Sequence, residues 1–165
     1  MTKTNNTRTL VISGMLAALI FIVTRLAYPI PGTSAYVNMG DSLIYCSSLL
    51  VNAPWAAAVS AIGSALADWS LGVPVYIPAT IIIKGLMGFT CAILMKKNKL
   101  SRFIFASILS GAIMAVGYFV YEVVFIGGWG YASVTITGNL IQWAAGVLGG
   151  IALFYPVKRI KGAIS

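Results

Sequence analysis

The chain has 165 residues, 59% hydrophobic and only 8% charged, with eleven Lys and Arg against three Asp and Glu. A soluble domain carries about a quarter charged residues, so repeated apolar stretches near 20 residues mark a polytopic membrane protein instead. Histidine is absent, which removes His triads, His metal sites and His proton relays. The net charge of +8 does not point to nucleic acid, because most basic residues flank the apolar stretches as membrane topology requires.

Six helices are predicted. The first runs from about Thr9 to Tyr28 and stops before Pro29. It is too long for a signal-peptide core and lacks a clear cleavage site, so it is read as a mature helix. Pro29 to Gly40 is loop chemistry. Helix 2, Asp41 to Val51, is too short to span alone. The loop before it is therefore expected to be partly re-entrant, which membranes tolerate only where protein or water satisfies the backbone. Helix 3 runs from Pro54, a good first-turn residue, to about Leu71. Helix 4 runs from about Val75 to Met95, helix 5 from Ser101 to Ile126, and helix 6 from about Val134 to Tyr155. With short loops and no linker, the expectation is an all-α integral membrane protein: a six-transmembrane-helix bundle, one domain over residues 1–165.

Orientation follows from Lys and Arg. Lys3 and Arg8, then Lys96, Lys97, Lys99 and Arg102, then Lys158, Arg159 and Lys161 make nine of the eleven basic residues. Six spans put all nine on one side, so both termini are expected to be cytoplasmic and the Pro29–Gly40 loop to face out.

The other charges lie inside or at the edge of apolar segments: Arg25, Asp41, Asp68, Lys84 and Glu122. Placed by depth at about 1.5 Å per residue, all five fall in the outer half of the bilayer. Intramembrane charge is expensive and marks a candidate functional site. Two cations and three anions can largely neutralise each other. In helix 6, Asn139, Gln142, Trp143 and Gly146 recur at the spacing of one face. Tyr118 and Glu122 share a face of helix 5, and Ser60, Ser64 and Asp68 make a polar stripe on helix 3. Tyr36 and Asn38, with Trp129 and Tyr131, are candidate lid residues; Trp129, Tyr131, Tyr28 and Tyr76 also suit interfacial anchors. Arg25 equally suits a snorkelling role. Cys46 and Cys91, isolated in apolar segments, read as small buried hydrophobes. No metal site is indicated.

Two further features bear on partners. Ser13/Ala17 and Gly14/Ala18 in helix 1 are small-xxx-small pairs, which let another helix approach closely. No G-x-x-x-x-G-K-[ST] phosphate cradle exists, so the chain itself is not expected to use ATP.

Nearly the whole chain resembles a substrate-binding S-component of an energy-coupling factor (ECF) vitamin transporter. The resemblance rests on the small-residue pair of helix 1 and on the stretch from Pro29-Ile30-Pro31 to Tyr36-Val37-Asn38-Met39-Gly40-Asp41-Ser42. Gly63-Ser64-Ala65-Leu66-Ala67-Asp68, Ile83-Lys84-Gly85-Leu86, Tyr121-Glu122 and Gly138-Asn139-Leu140-Ile141-Gln142 add to it. These stretches are similar to the riboflavin-type branch, which includes carriers of hydroxymethylpyrimidine and pyridoxine. The resemblance implies a vitamin pocket near the outer face, covered by the loop between helices 1 and 2. It implies a transmembrane coupling subunit with two cytoplasmic ATPases, contacted through Ser13, Gly14, Ala17 and Ala18. It also implies toppling of the subunit in a prokaryotic cell membrane to release the vitamin inward.

The expected ligand groups are Tyr36, Asn38, Asp41, Asp68, Lys84, Tyr118, Glu122, Asn139, Gln142 and Trp143. They suit a small polar heteroaromatic molecule, stacked on Tyr36, Tyr118 or Trp143. A B6 vitamer such as pyridoxine is favoured, then hydroxymethylpyrimidine, with riboflavin and pantothenate behind. No covalently bound cofactor is expected. A self-sufficient proton-coupled carrier cycling a proton on Glu122 or Asp68 is the alternative of another class. An aspartyl enzyme built on Asp41 and Asp68, or a scaffold subunit, ranks below it.

Overall fold

The computed structural model describes residues 3–95 and 99–164. Lys96 and Lys97, counted above among the inner basic residues, lie outside the described residues. Helix α1 covers Lys3–Arg25. It ends three residues short of the expected Tyr28, because the chain turns into a short hairpin there. Strands β1 (Tyr28–Pro29) and β2 (Tyr36–Val37) pair antiparallel, Tyr28 opposite Val37 and Pro29 opposite Tyr36. Gly32, at a φ of 78°, supplies the left-handed residue in the connection.

Helix α2 (Gly40–Leu50) follows, with Asp41 in its first turn, where the helix dipole favours a carboxylate. Helix α3 covers Ala53–Ser70; Asn52 caps it by accepting the Trp55 backbone N–H at 3.3 Å, and Pro54 sits in its first turn. A 3₁₀ turn, Pro74–Tyr76, leads into α4 (Ile77–Leu94). Helix α5 (Leu100–Tyr121) does not run on as α-helix to Ile126; its last turn, Glu122–Ile126, widens into a π-helix. Helix α6 covers Gly128–Ile164, well beyond the expected Val134–Tyr155 at both ends. Trp129 and Tyr131 thus lie on its first turn and not in a loop, and Pro156 lies inside it.

Among the described residues, four segments are long and apolar enough to cross a membrane: Thr7–Arg25, Pro74–Leu94, Leu100–Ile126 and Gly128–Ala163. Helix α2 rises only about 16 Å at 1.5 Å per residue, roughly half a hydrocarbon core. The expected six spans are therefore not carried by length and composition alone. The exterior fits lipid: Leu10, Met15, Ile82, Val116 and Leu148 are all exposed. In water such a surface would be an association hazard, and the chain is accordingly a membrane-integrated helical protein.

Short α2 sits centrally and touches every other helix. Small residues set the closest crossings. A Cβ on Gly63 of α3 would meet the Ala17 carbonyl oxygen of α1 at 2.6 Å, and Gly88 of α4 lies against the Ala56 backbone of α3. Below the polar groups, Ile44, Tyr45, Leu49, Met87, Phe103 and Phe154 close the core.

Candidate functional site

The chain holds only three acidic residues, and all three are buried at one end of the bundle: Asp41, Asp68 and Glu122. A cavity lies among them, lined by Tyr36, Asn38, Asp68, Lys84, Tyr118, Glu122, Asn139 and Gln142, all expected from the sequence. Its space, counted out to the solvent at the mouth, is about 410 Å³.

The floor is an ion pair held by amides. Asp41 Oδ1 accepts from Lys84 Nζ at 2.5 Å, and its Oδ2 accepts from Gln142 Nε2 at 2.9 Å. The two charged side chains are 1% and 3% exposed, so the pair is desolvated, and it persists because further hydrogen bonds complete it. Gln142 Oε1 accepts from the Asn38 backbone N–H at 3.0 Å and from Asn38 Nδ2 at 3.1 Å. Asn38 Oδ1 in turn accepts from the Gly40 N–H at 2.8 Å, tying the loop to the start of α2. Lys84 Nζ also lies 5.6 Å from the centre of the Tyr118 ring, within cation–π range. Asp41 does not itself line the cavity; it orients Lys84 and Gln142, which do.

On one wall the Tyr36 hydroxyl donates to Asp68 Oδ1. Thr80 and Tyr118 share a hydrogen bond of 2.8 Å. Asp68 Oδ2, Ser64 Oγ and Asn139 Nδ2 are buried and have no hydrogen-bond partner among the described residues. All three residues line the cavity, so the wall presents acceptor and donor groups that a solute can satisfy.

Near the mouth, Glu122 heads the π-turn, a feature common at functional sites. Its Oε1 accepts from the Tyr76 hydroxyl at 3.0 Å and its Oε2 from Thr135 at 2.5 Å. Tyr131 reaches across: its hydroxyl accepts from the Ser34 N–H at 2.8 Å and lies 3.1 Å from the Tyr76 hydroxyl.

Several sequence expectations are corrected. Arg25 is exposed at the end of α1, so among the described residues one cation, Lys84, and not two, is buried with the three acidic side chains. Trp143 lies outside the lining; its indole packs on Gly111 of α5, which has no side chain to block it. Trp129 is 72% exposed and stacks edge-on with Phe119, so it is no part of the lid contact. The two small pairs of α1 also part company. Ser13 and Ala17 face inward, with Ala17 beside Gly63, whereas Gly14 and Ala18 face out and a Cβ built on Gly14 would meet nothing within 4 Å.

Tyr76, Thr80 and Thr135 carry site contacts that the sequence reading missed. A periodic signal existed for each. Tyr76, Thr80 and Lys84 repeat at i, i+4, i+8, and Thr135, Asn139 and Gln142 at i, i+4, i+7.

A buried polar cavity at one end of an apolar, lipid-exposed bundle defines a membrane protein that binds a small solute. Residues 4–159 match the family described as ECF-type riboflavin transporter, S component, and the chain belongs to that family. Members are vitamin-binding subunits of transporters rather than enzymes, and in general they work with a membrane coupling subunit and ATPases. The chain is also similar to a Pyrococcus woesei protein described as "uncharacterized protein in gap 3'region". The two are 30% identical over 137 residues, which cover 82% of this chain and 91% of that protein.

Proposed function

We propose that this chain captures a neutral or cationic, hydroxylated heteroaromatic vitamin at the outer membrane face, and that the vitamin is a B6 vitamer, pyridoxine first and hydroxymethylpyrimidine next. The observation that carries the reading is the make-up of the site: three acidic side chains are buried at the same end of the bundle as one ammonium, which is already paired with Asp41. Such a site offers an anion no unpaired cation among the described residues, which sets pantothenate aside. Unpartnered Asp68 Oδ2 accepts from a hydroxyl or ring N–H of the ligand, and Asn139 Nδ2 donates to a ring nitrogen or hydroxyl oxygen. Lys84 donates to a phenolate or hydroxyl oxygen, Glu122 accepts from a hydroxymethyl group, and Tyr118 or Tyr36 supplies an aromatic face. Riboflavin, the vitamin in the family's description, is the second reading.

In this reading residues 1–165 form one domain, α2 and α3 with the hairpin complete six membrane passages, and both termini are cytoplasmic. The outward pair Gly14 and Ala18 makes the contact to a transmembrane coupling subunit, which carries two ATPases. Calorimetric titration of the purified chain with pyridoxine, hydroxymethylpyrimidine, riboflavin and pantothenate tests the ligand. Saturable nanomolar to low-micromolar binding of pyridoxine is expected, and tight binding of riboflavin alone replaces the B6 assignment. Uptake into vesicles by this chain alone, driven by a pH gradient, would instead establish the proton-coupled carrier.

A further inference from the structure

The tyrosines at the mouth of the cavity form a directed chain. Tyr76 gives its one hydroxyl proton to Glu122 Oε1. It can therefore only accept from Tyr131, whose hydroxyl lies 3.1 Å away. Tyr131, having spent its proton there, accepts the backbone N–H of Ser34. The order is Ser34 N–H to Tyr131 to Tyr76 to the Glu122 carboxylate, with Thr135 holding the other carboxylate oxygen. Four segments meet in this chain: the hairpin connection, the first turn of α6, the 3₁₀ turn before α4 and the π-turn after α5.

The two ends differ in freedom. Glu122 is 1% exposed and Tyr76 5%, wedged against the rings of Tyr118 and Tyr121, whereas Ser34 is exposed on the connection between β1 and β2. Apart from the hairpin's own bonds, its hydrogen bonds over the cavity run from Tyr36 to Asp68 and from Ser34 to Tyr131, while Ile30 and Val37 pack on Gly138 of α6. The second of these hydrogen bonds depends on Tyr76 for the placement of the Tyr131 hydroxyl.

We propose that Tyr76 is the positioning residue of Glu122 and that Tyr131 transmits that position to the outer hairpin, so that the carboxylate which holds the ligand also governs how often the cavity mouth opens. This rests on the reading of Glu122 as a ligand group. Hydrogen bonds in series polarise one another, so loss of the middle link weakens the outer one. A ligand hydroxyl or N–H that reaches Oε1 joins Tyr76 on the same oxygen, and its arrival is felt at Ser34 through two hydroxyls.

The first test needs no ligand. Amide exchange at Ser34 is measured in the purified full chain, in Tyr131→Phe, in Tyr76→Phe and in the distant, exposed Tyr155→Phe. Both substitutions in the chain keep the ring and remove one hydroxyl. Each is expected to speed Ser34 exchange about fivefold to tenfold, the scale of one net hydrogen bond. Tyr155→Phe should leave it unchanged. If Tyr76→Phe leaves Ser34 protected while Tyr131→Phe does not, the contact is local and the relay is overturned. Unchanged exchange in both variants overturns it equally.

The second test uses whichever vitamin binds the parent chain. Tyr131→Phe should raise association and dissociation rates together, by about fivefold or more, with Kd within about threefold. A residue that only stabilised the fold would lower thermal stability without this matched rise, and that result would also overturn the relay. A parent chain that binds none of the four vitamins would defeat the ligand assignment, while the exchange experiment would still decide the relay.

Discussion

The Lys84–Asp41 pair allows a quantitative test of how the site is built. Lys84→Met keeps the length and packing of the side chain and deletes the charge. Asp41, 1% exposed, is then left with Gln142 Nε2 as its hydrogen-bond donor. Breaking a buried pair by removing one partner costs about 3–5 kcal/mol, because the remaining charge is desolvated and uncompensated. At about 1.4 kcal/mol per tenfold, the folded-to-unfolded ratio falls more than a hundredfold. Asp41→Asn removes the counter-charge and leaves the ammonium a neutral amide oxygen, the Met114 sulfur at 3.3 Å and the Tyr118 ring, and a similar loss is expected. The double variant Lys84→Met/Asp41→Asn carries no stranded charge and should come within about 1 kcal/mol of the parent. The assay is reversible unfolding in mixed detergent micelles, giving a double-mutant cycle with a coupling above about 2 kcal/mol. Singles that each cost under about 1 kcal/mol, or a double as costly as their sum, would refute the pair as the organiser of the floor. The same Lys84→Met variant should lose vitamin affinity by more than tenfold, about 1.4 kcal/mol.

Other consequences are equally direct. A Cβ at Gly88 would collide with the Ala56 backbone, whereas one at Gly85 would make ordinary contacts with the Ala61 Cβ at 3.7 Å and the Ala57 carbonyl oxygen at 3.8 Å. In thermal unfolding, Gly88→Ala should therefore destabilise by about 1–3 kcal/mol, while Gly85→Ala should be neutral or gain roughly 0.5–1 kcal/mol from lost backbone entropy. Gly14→Leu should leave vitamin binding unchanged, since a Cβ at Gly14 points into open space, yet abolish co-purification with the coupling subunit. If assembly survives, the outward small pair is not the contact. In intact cells an impermeant maleimide should label Ser34→Cys, whereas Arg159→Cys should react only after permeabilisation; Cys46 and Cys91 are buried. The reverse pattern would invert the orientation.

Composition alone made this a helical membrane protein, because apolar runs near 20 residues have few other fates. The site was equally legible in outline. In a chain with three acids, burying all of them is so costly that they must share a purpose and compensating partners. Depth counting placed Asp41, Asp68, Lys84 and Glu122 on one level, since helical rise is a property of the backbone. Helix 6 outran its forecast because Trp129 and Tyr131 read as residues of the loop before it. Tertiary docking of Tyr131 on Tyr76 and Ser34 overrode those local signals at its first turn.

The azimuth of each side chain was not legible, because it depends on which neighbour a helix packs against. Arg25 and Asp68 lie one turn from the outer ends of their expected helices, yet one faces out and the other lines the cavity. Ser13/Ala17 and Gly14/Ala18 are equivalent pairs in one dimension. Only packing on Gly63 of α3 decides that the first turns inward and the second stays exposed. Periodicity put Trp143 beside Gln142 and Asn139, but the space over Gly111 drew its indole to α5. The tyrosine chain joins residues 34, 76, 122 and 131, and no local pattern foretells it: hydrogen bonds between segments so far apart in sequence exist only once the helices have closed around the cavity.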